Sequence, residues 1–376
     1  MRLLRRGFLL LAVLAAALPA AARTVLTARV DPRFELLGVL QVLSATRPSG
    51  PELPGYPAEI AQRFAAFKTH PAVAAYARIA ADPRRLRALK VLFFGLSDPP
   101  SLDWNIPAAL VPPEREAFGG EKEFALFREQ VRDFVRVSGY EAFFAEHRAA
   151  YDRVEAAARA SLAGRDYPGL IEGYVGPLDA RLHVILSLAY RAGTYRYILP
   201  YPYQRSGAPV SGPFDVFVIA EPSAAPGGVP RFEPSSYWNE LLDVAVDPIL
   251  AERCAQIDRL RWLLAPVARE CPEGWQSCVV NMIKRSVQRR IAVSAGGDPN
   301  LALPGDAKPW TLWTRKLEPA EEYERAFGNS LREYERRRDV YKTLRDFYPK
   351  LAETLEALGK RGAPSAPATP PECAAK

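Results

Sequence analysis

The stretch YWNELLDVAVDP, Tyr237 to Pro248, decides how this chain is read. Wound as a helix, it is two-sided. Trp238, Leu241, Leu242, Ala245 and Ile249 recur at the 3.6-residue period and predict a buried side. Asn239, Glu240, Asp243 and Asp247 share an arc of about 100° on the other. Positions i and i+4 of one helix can hold a metal while i+1 serves as general base. Asn239 and Asp243 stand at the two ligand positions, and Glu240 at the third. An ordinary surface helix shows the same polar arc simply because it faces water. The arc is therefore either a former metal site or a wet face.

Just upstream, the texture predicts strands. Arg181 to Tyr190 (RLHVILSLAY) and Phe214 to Ala220 (FDVFVIA) are rich in β-branched and aromatic residues between Gly and Pro, and Tyr195 to Leu199 adds a short third strand. Everything before them reads as helical. Asp31-Pro32 is a helix start, an N-cap acid with proline at the first turn, and Arg33 to Ser44 is apolar nearly all round and so buried. Further helices are expected from near Pro57 to a break at His70-Pro71, over Ala72 to Ala81, and over Arg84 to Leu96. A loop covers Asp98 to Pro113. Glu121 to Leu162 is helical with a break at Ser138-Gly139. After the central stretch come Glu252 to Ala268, Gln276 to Ser294, and one long helical region from Glu321 to Leu358. These elements predict a mostly helical α+β fold with a small sheet beside the central helix. Its parts are a helical portion over 23–165 and a second portion over 166–358, forming one compact unit.

The ends carry other signals. Arg2, Arg5 and Arg6 precede an apolar run from Phe8 to Leu18, and Ala20 and Ala22 supply a small-residue cleavage site. Residues 1–22 thus read as a secretory signal peptide, which implies export to the periplasm or beyond. The run is too short to span a bilayer, and no later segment is better suited. Removing those three arginines takes the net charge from +7 to +4, with both signs mixed along the chain. No concentrated basic stripe suits nucleic acid; Arg336-Arg337-Arg338 lies among Glu333, Glu335 and Asp339 as a solvated face. The last segment, 359–376, is Pro/Ala-rich and predicts a disordered tail.

Four cysteines in an exported chain predict disulfides. Cys271 and Cys278 flank a turn-rich loop (CPEGWQSC) and form the expected pair, a closure contributing about 2–3 kcal/mol. Cys254 and Cys373 have no assigned partner. The histidines, His70, His147 and His183, show no metal-ligand spacing and read as structural or surface residues. No G-x-S-x-G elbow or phosphate loop occurs. Asn281 opens the segment NMIKRSVQRR, with Arg285 and Arg289 one and two turns on.

In these segments the chain resembles a family of exported bacterial proteins of unknown function with a gluzincin-like metallopeptidase core. The likeness runs from about Asp31 to Leu358. It rests on VDPRFELLGVLQVLS, AAFKTHPAV, FREQVRDFVRVSGYEAFFAEHRAAY, NELLDVAVDPI and YKTLRDFYPKL, taken in order. Members carry His-Glu-x-x-His where this chain has Asn239-Glu240-Leu241-Leu242-Asp243, and a glutamate then an arginine where it has Asn281 and Arg285. The resemblance makes Glu240 the residual general-base position. Asn239, Asp243 and Asn281 become former zinc-ligand positions, with Arg285 and Arg289 in support. Amides are poor zinc ligands, so the expectation is no metal, no cofactor and no peptidase chemistry, with Glu240 paired to Arg285 or Arg289. The function this implies is that of a pseudo-peptidase holding a peptide or envelope protein against a sheet edge. The alternatives are a hydrolase using Glu240 with Asp243 as paired carboxylates, or a structural envelope protein.

Overall fold

Asp31 and Arg33 set the geometry from which the fold grows. The structure, a computed structural model, describes residues 25–46, 55–106, 111–163, 166–178, 180–191, 195–199, 214–220, 223–224, 230–231, 235–263, 275–294 and 319–360. The expected signal peptide, and all of the expected tail beyond its first two residues, lie outside these. Strand β1 (Val25–Val30) leads into α1 (Pro32–Leu43), then α2 (Tyr56–Arg63), α3 (Pro71–Ala80), α4 (Pro83–Phe94), α5 (Pro112–Phe118), α6 (Glu121–Ser138), α7 (Tyr140–Glu146), α8 (Arg148–Ala163) and α9 (Tyr167–Val175). Next come β2 (Ala180–Leu186), β3 (Tyr195–Leu199), β4 (Phe214–Ala220), β5 (Ser223–Ala224) and β6 (Pro230–Arg231). Helices α10 (Ser235–Val246), α11 (Pro248–Asp258), α12 (Trp275–Ser294), α13 (Pro319–Arg336) and α14 (Tyr348–Gly359) complete the order. The class is the expected one, mostly helical α+β.

The main sheet has the order β1-β2-β4-β3. Strands β1, β2 and β4 are parallel, and β3 runs antiparallel to β4. Side chains alternate across it, so register decides which face each residue takes. Leu26, Leu182 and Val216 lie abreast, as do Ala28, Val184 and Val218, and Val30, Leu186 and Ala220. This is the core face. The opposite face carries Thr27, His183 and Phe217 in one row and Val25, Arg181 and Asp215 in another. Strand β1 is an element that the sequence reading does not anticipate, and its pairing with β2 crosses the expected boundary between residues 165 and 166.

At the turn from β1 into α1, the Asp31 N–H donates to Leu186 O at 3.1 Å and prolongs the parallel ladder. Its carboxylate caps α1 by accepting from Arg33 N at 2.9 Å, and it takes a two-pronged grip from Arg33 Nε and Nη2 at 2.9 and 2.6 Å. The same guanidinium donates to Phe94 O and Leu96 O at 3.0 and 2.6 Å, answering carbonyls that the end of α4 leaves without helical partners. One arginine thus joins β1, α1 and α4. Burial alone would raise the Asp31 carboxyl, but Arg33 outweighs it and holds the group below its ordinary value. Along α1, buried Glu35 accepts from Ser187 Oγ at 2.7 Å and from Tyr56 Oη at 3.0 Å. Gln41 exchanges two bonds of 2.8 Å with the backbone of Arg191. Gly38 faces this turn with no room for a side chain, because a Cβ there would lie 2.5 Å from Tyr190 N.

Several boundaries differ from the expected ones. Helices α5 and α9 are additions to the expected elements; each carries proline in its first turn, where the missing N–H is not needed. The helical region expected from Glu321 to Leu358 consists of two helices, α13 and α14. Leu344 donates from its backbone to Val175 O at 2.8 Å, and Pro349 sits in the first turn of α14. Arg338 is not simply solvated: it donates to Tyr174 O at 2.6 Å near the end of α9.

Replacing Arg33 with Met strands a buried carboxylate, a loss of about 3–5 kcal/mol to be read by denaturant unfolding. The sign with pH is set by the lowered folded value of Asp31. Its stabilisation is present above the unfolded aspartate value of about 3.9 and is lost as pH falls through the lower folded value. That acid limb should flatten in Arg33→Met.

Candidate functional site

Helix α10 comes after the sheet and packs against β4, α9 and α12. Pro248 opens α11 and ends α10. From Leu241 to Val246 every residue is buried, so the helix is not two-sided over this turn and a half. Leu241, Leu242, Ala245 and Ile249 occupy the core as expected. Asp243, read as either a former metal-ligand position or part of a wet face, is only 2% exposed, so the wet face is excluded for it. The correction has a clear physical cause: Lys284 of α12 brings its Nζ to 2.7 Å from Asp243 Oδ1. A carboxylate removed from water must be neutralised or paired, and the lysine ammonium does this from inside the fold.

The other expected positions are distributed over two helices, α10 and α12. Asn239 and Glu240 lie on α10, with their side chains outside the described residues. Asn281 lies on α12 one turn before Lys284 and is exposed. Arg285 and Arg289, expected opposite Glu240, reach Glu324 of α13 at 3.2 and 2.6 Å. Glu324 is buried, and its backbone oxygen also takes the Ser286 hydroxyl at 2.9 Å. Thus α12 is fastened to α10 by one buried ion pair and to α13 by a two-arginine clamp. A zinc ion needs several imidazole, thiolate or carboxylate donors about one point. Here the one carboxylate among the described ligand positions faces an ammonium, and Asn281 faces solvent. These donors do not fit zinc.

Cys254 and Cys278 are each disulfide-bonded, and no described cysteine is free. Cys271 and Cys373 lie outside the described residues, and with them the expected pairing of Cys271 with Cys278. No described helix is long and apolar enough to cross a membrane.

Two histidines are structural, as expected. His70 Nδ1 accepts from Ala72 N at 3.2 Å and caps α3; His147 binds Phe143 O at 2.8 Å and Glu59 at 3.1 Å. His183 is different. It lines a cavity of about 720 Å³ on the polar face of the sheet, with Thr27, Arg29, Asp98, Asn105, Arg181 and Asp215. Its ring lies 2.9 Å from Thr27 Oγ1 through Nδ1, and 2.8 Å from Asp215 Oδ1 through Nε2. The sequence reading missed this group. The signal that could have found it is register, since the three residues come from three strands, one of which was not anticipated.

Comparison with family models, curated proteins and solved structures gave no match.

Replacing Lys284 with Met leaves Asp243 buried without this partner, and should cost about 3–5 kcal/mol in thermal or denaturant unfolding. The double change Asp243→Leu with Lys284→Met should recover most of that loss, because a buried pair is often no better than an apolar replacement.

Proposed function

We propose that this protein is an exported, zincin-like pseudo-peptidase that binds an extended peptide segment, of an envelope protein or a free peptide, without a metal. The observation that carries the reading is the Asp243–Lys284 ion pair, 2.7 Å long and largely buried, at a position which the family likeness assigns to a zinc ligand. A protein cation already neutralises that carboxylate. A metal ion would have to displace it before it could lower the pKa of a bound water. The same pair weighs against Asp243 acting with Glu240 as two carboxylates sharing a proton, since Asp243 already has a cation to stabilise its charge.

Support for the peptide comes from the unequal edges of the sheet. Helix α8 lies beside β1, where the Val30 N–H donates to Glu155 Oε1 at 3.0 Å. At the other edge, β3 pairs only with β4 among the described residues. An extended chain can add there by backbone hydrogen bonds, with side-chain pockets supplying selectivity. Strand β3 is also the antiparallel member of the sheet.

The test measures peptide binding by fluorescence anisotropy, with and without a chelator, alongside the zinc content of protein purified without chelator. Binding should be unaffected by chelation, and the peptide should remain intact. Methylating the alternate peptide amides that face β3 removes two or three hydrogen bonds worth about 0.5–1.5 kcal/mol each, and should weaken binding about tenfold or more. Methylation of the other set should be tolerated. One tightly held zinc per chain, or chelator-sensitive cleavage, overturns the proposal.

A further inference from the structure

The polar face of the sheet carries a second site, independent of the peptide-binding reading. Thr27, His183 and Asp215 come from β1, β2 and β4. Register places Thr27 directly beside His183, and Asp215 two residues before Phe217, which is His183's neighbour on β4. The Asp215 carboxylate can only accept hydrogen bonds, so Nε2 of His183 carries a proton toward it. In the neutral ring Nδ1 is then an acceptor, and the Thr27 hydroxyl at 2.9 Å donates to it. Arg181 donates to Asp215 Oδ2 at 2.6 Å, so both carboxylate oxygens are engaged and the group is held in place. Phe217 stacks on the imidazole with ring centroids 4.7 Å apart and planes within 20°. Thr27 is β-branched and stiff about χ1, so its hydroxyl is presented in a restricted set of directions.

These relations reproduce, with the ring nitrogens exchanged, the roles of a hydroxyl nucleophile, a base and an orienting acid. They sit in a cavity of about 720 Å³ whose apolar wall includes Phe94, Leu96 and Ile106. Arg29 lies two residues beyond Thr27 on the same face of β1 and is about half exposed, at 49%. Its guanidinium and the Asn105 amide are donors lining the same cavity.

We infer that this cavity is an esterase site for small esters with an apolar acyl chain, with Thr27 as nucleophile and His183 as general base. Thr27 Oγ attacks the ester carbonyl as its proton passes to His183 Nδ1. The C–O bond to the alcohol breaks, and the departing alkoxide takes that proton. Water then attacks the acyl-threonine, giving a proton to Nδ1 that returns to Thr27 Oγ as the carboxylic acid leaves. The sum is ester plus water to acid plus alcohol. Asp215 and Arg181 are positioning residues, acting through the imidazole.

The experiment uses the full chain with p-nitrophenyl butyrate as substrate and a fluorophosphonate as covalent probe. Folding of each variant is checked by its unfolding midpoint. The expected result is hydrolysis above the buffer rate and a mass shift on the peptide bearing Thr27. Thr27→Val should lower kcat/KM at least a hundredfold with the midpoint kept, while Thr27→Ser retains activity and labelling. Asp215→Asn should lower kcat far more than it alters KM, which loss of binding alone would not do. Hydrolysis unchanged in Thr27→Val, label on another residue, or folded protein that binds the ester without cleaving it overturns the assignment.

Discussion

A carboxylate carried into a protein interior needs a positive charge beside it, and here Lys284 supplies that charge to Asp243. The contact is 2.7 Å, with the two side chains 15% and 3% exposed. It fixes the distance between α10 and α12 and so positions the helix that comes after the sheet. It also determines what this helix pair can do. In a metal-dependent hydrolase, the cation between two such helices arrives from solvent and keeps an open coordination position for water. An ammonium on a side chain has no such position, because its nitrogen already makes four bonds, three to hydrogen and one to carbon. The proposed scaffold would thus hold a buried positive charge where a metallopeptidase holds a metal.

A second buried charge pair organises the sheet where β1 turns into α1. Arg33 serves Asp31 and the carbonyls closing α4 at once, and the backbone N–H of Asp31 extends the ladder to Leu186. This tethers the start of α1 and the end of α4 to one end of the parallel strands. The cavity on the polar face is walled by residues from those same elements. Glu155 of α8 takes a backbone N–H of β1, whereas β3 pairs only with β4 among the described residues. Two surfaces of one small sheet, a face and an edge, thus acquire different chemistry from the register of its strands.

Much of this was legible in the sequence, for local reasons. Asp31-Pro32 starts a helix because an acid caps free N–H groups and proline fits the first turn. Gly139 ends α6 because its left-handed conformation, φ 70°, is easy only for glycine. Strands β2, β3 and β4 were visible in their β-branched and aromatic content. Strand β1 was not, since Thr27, Ala28 and Arg29 dilute the pattern and it lies next to the expected cleavage site. The fate of Asp243 was also hidden. A helical wheel assigns an acid to the wet side, and only the packing of α12 reveals the lysine that allows it to be buried. The group of Thr27, His183 and Asp215 required knowledge of which strands are neighbours. The break inside the helical region expected from Glu321 to Leu358 was hidden for a related reason: apolar spacing persists through it, while Val175 O captures the Leu344 N–H.

The proposal that Lys284 stands where a metal would bind can be tested in crystals grown with zinc, measured on both sides of its absorption edge. No anomalous peak is expected between α10 and α12, with Lys284 Nζ still against Asp243. A strong peak bound by Asp243, with the lysine swung away, would contradict it.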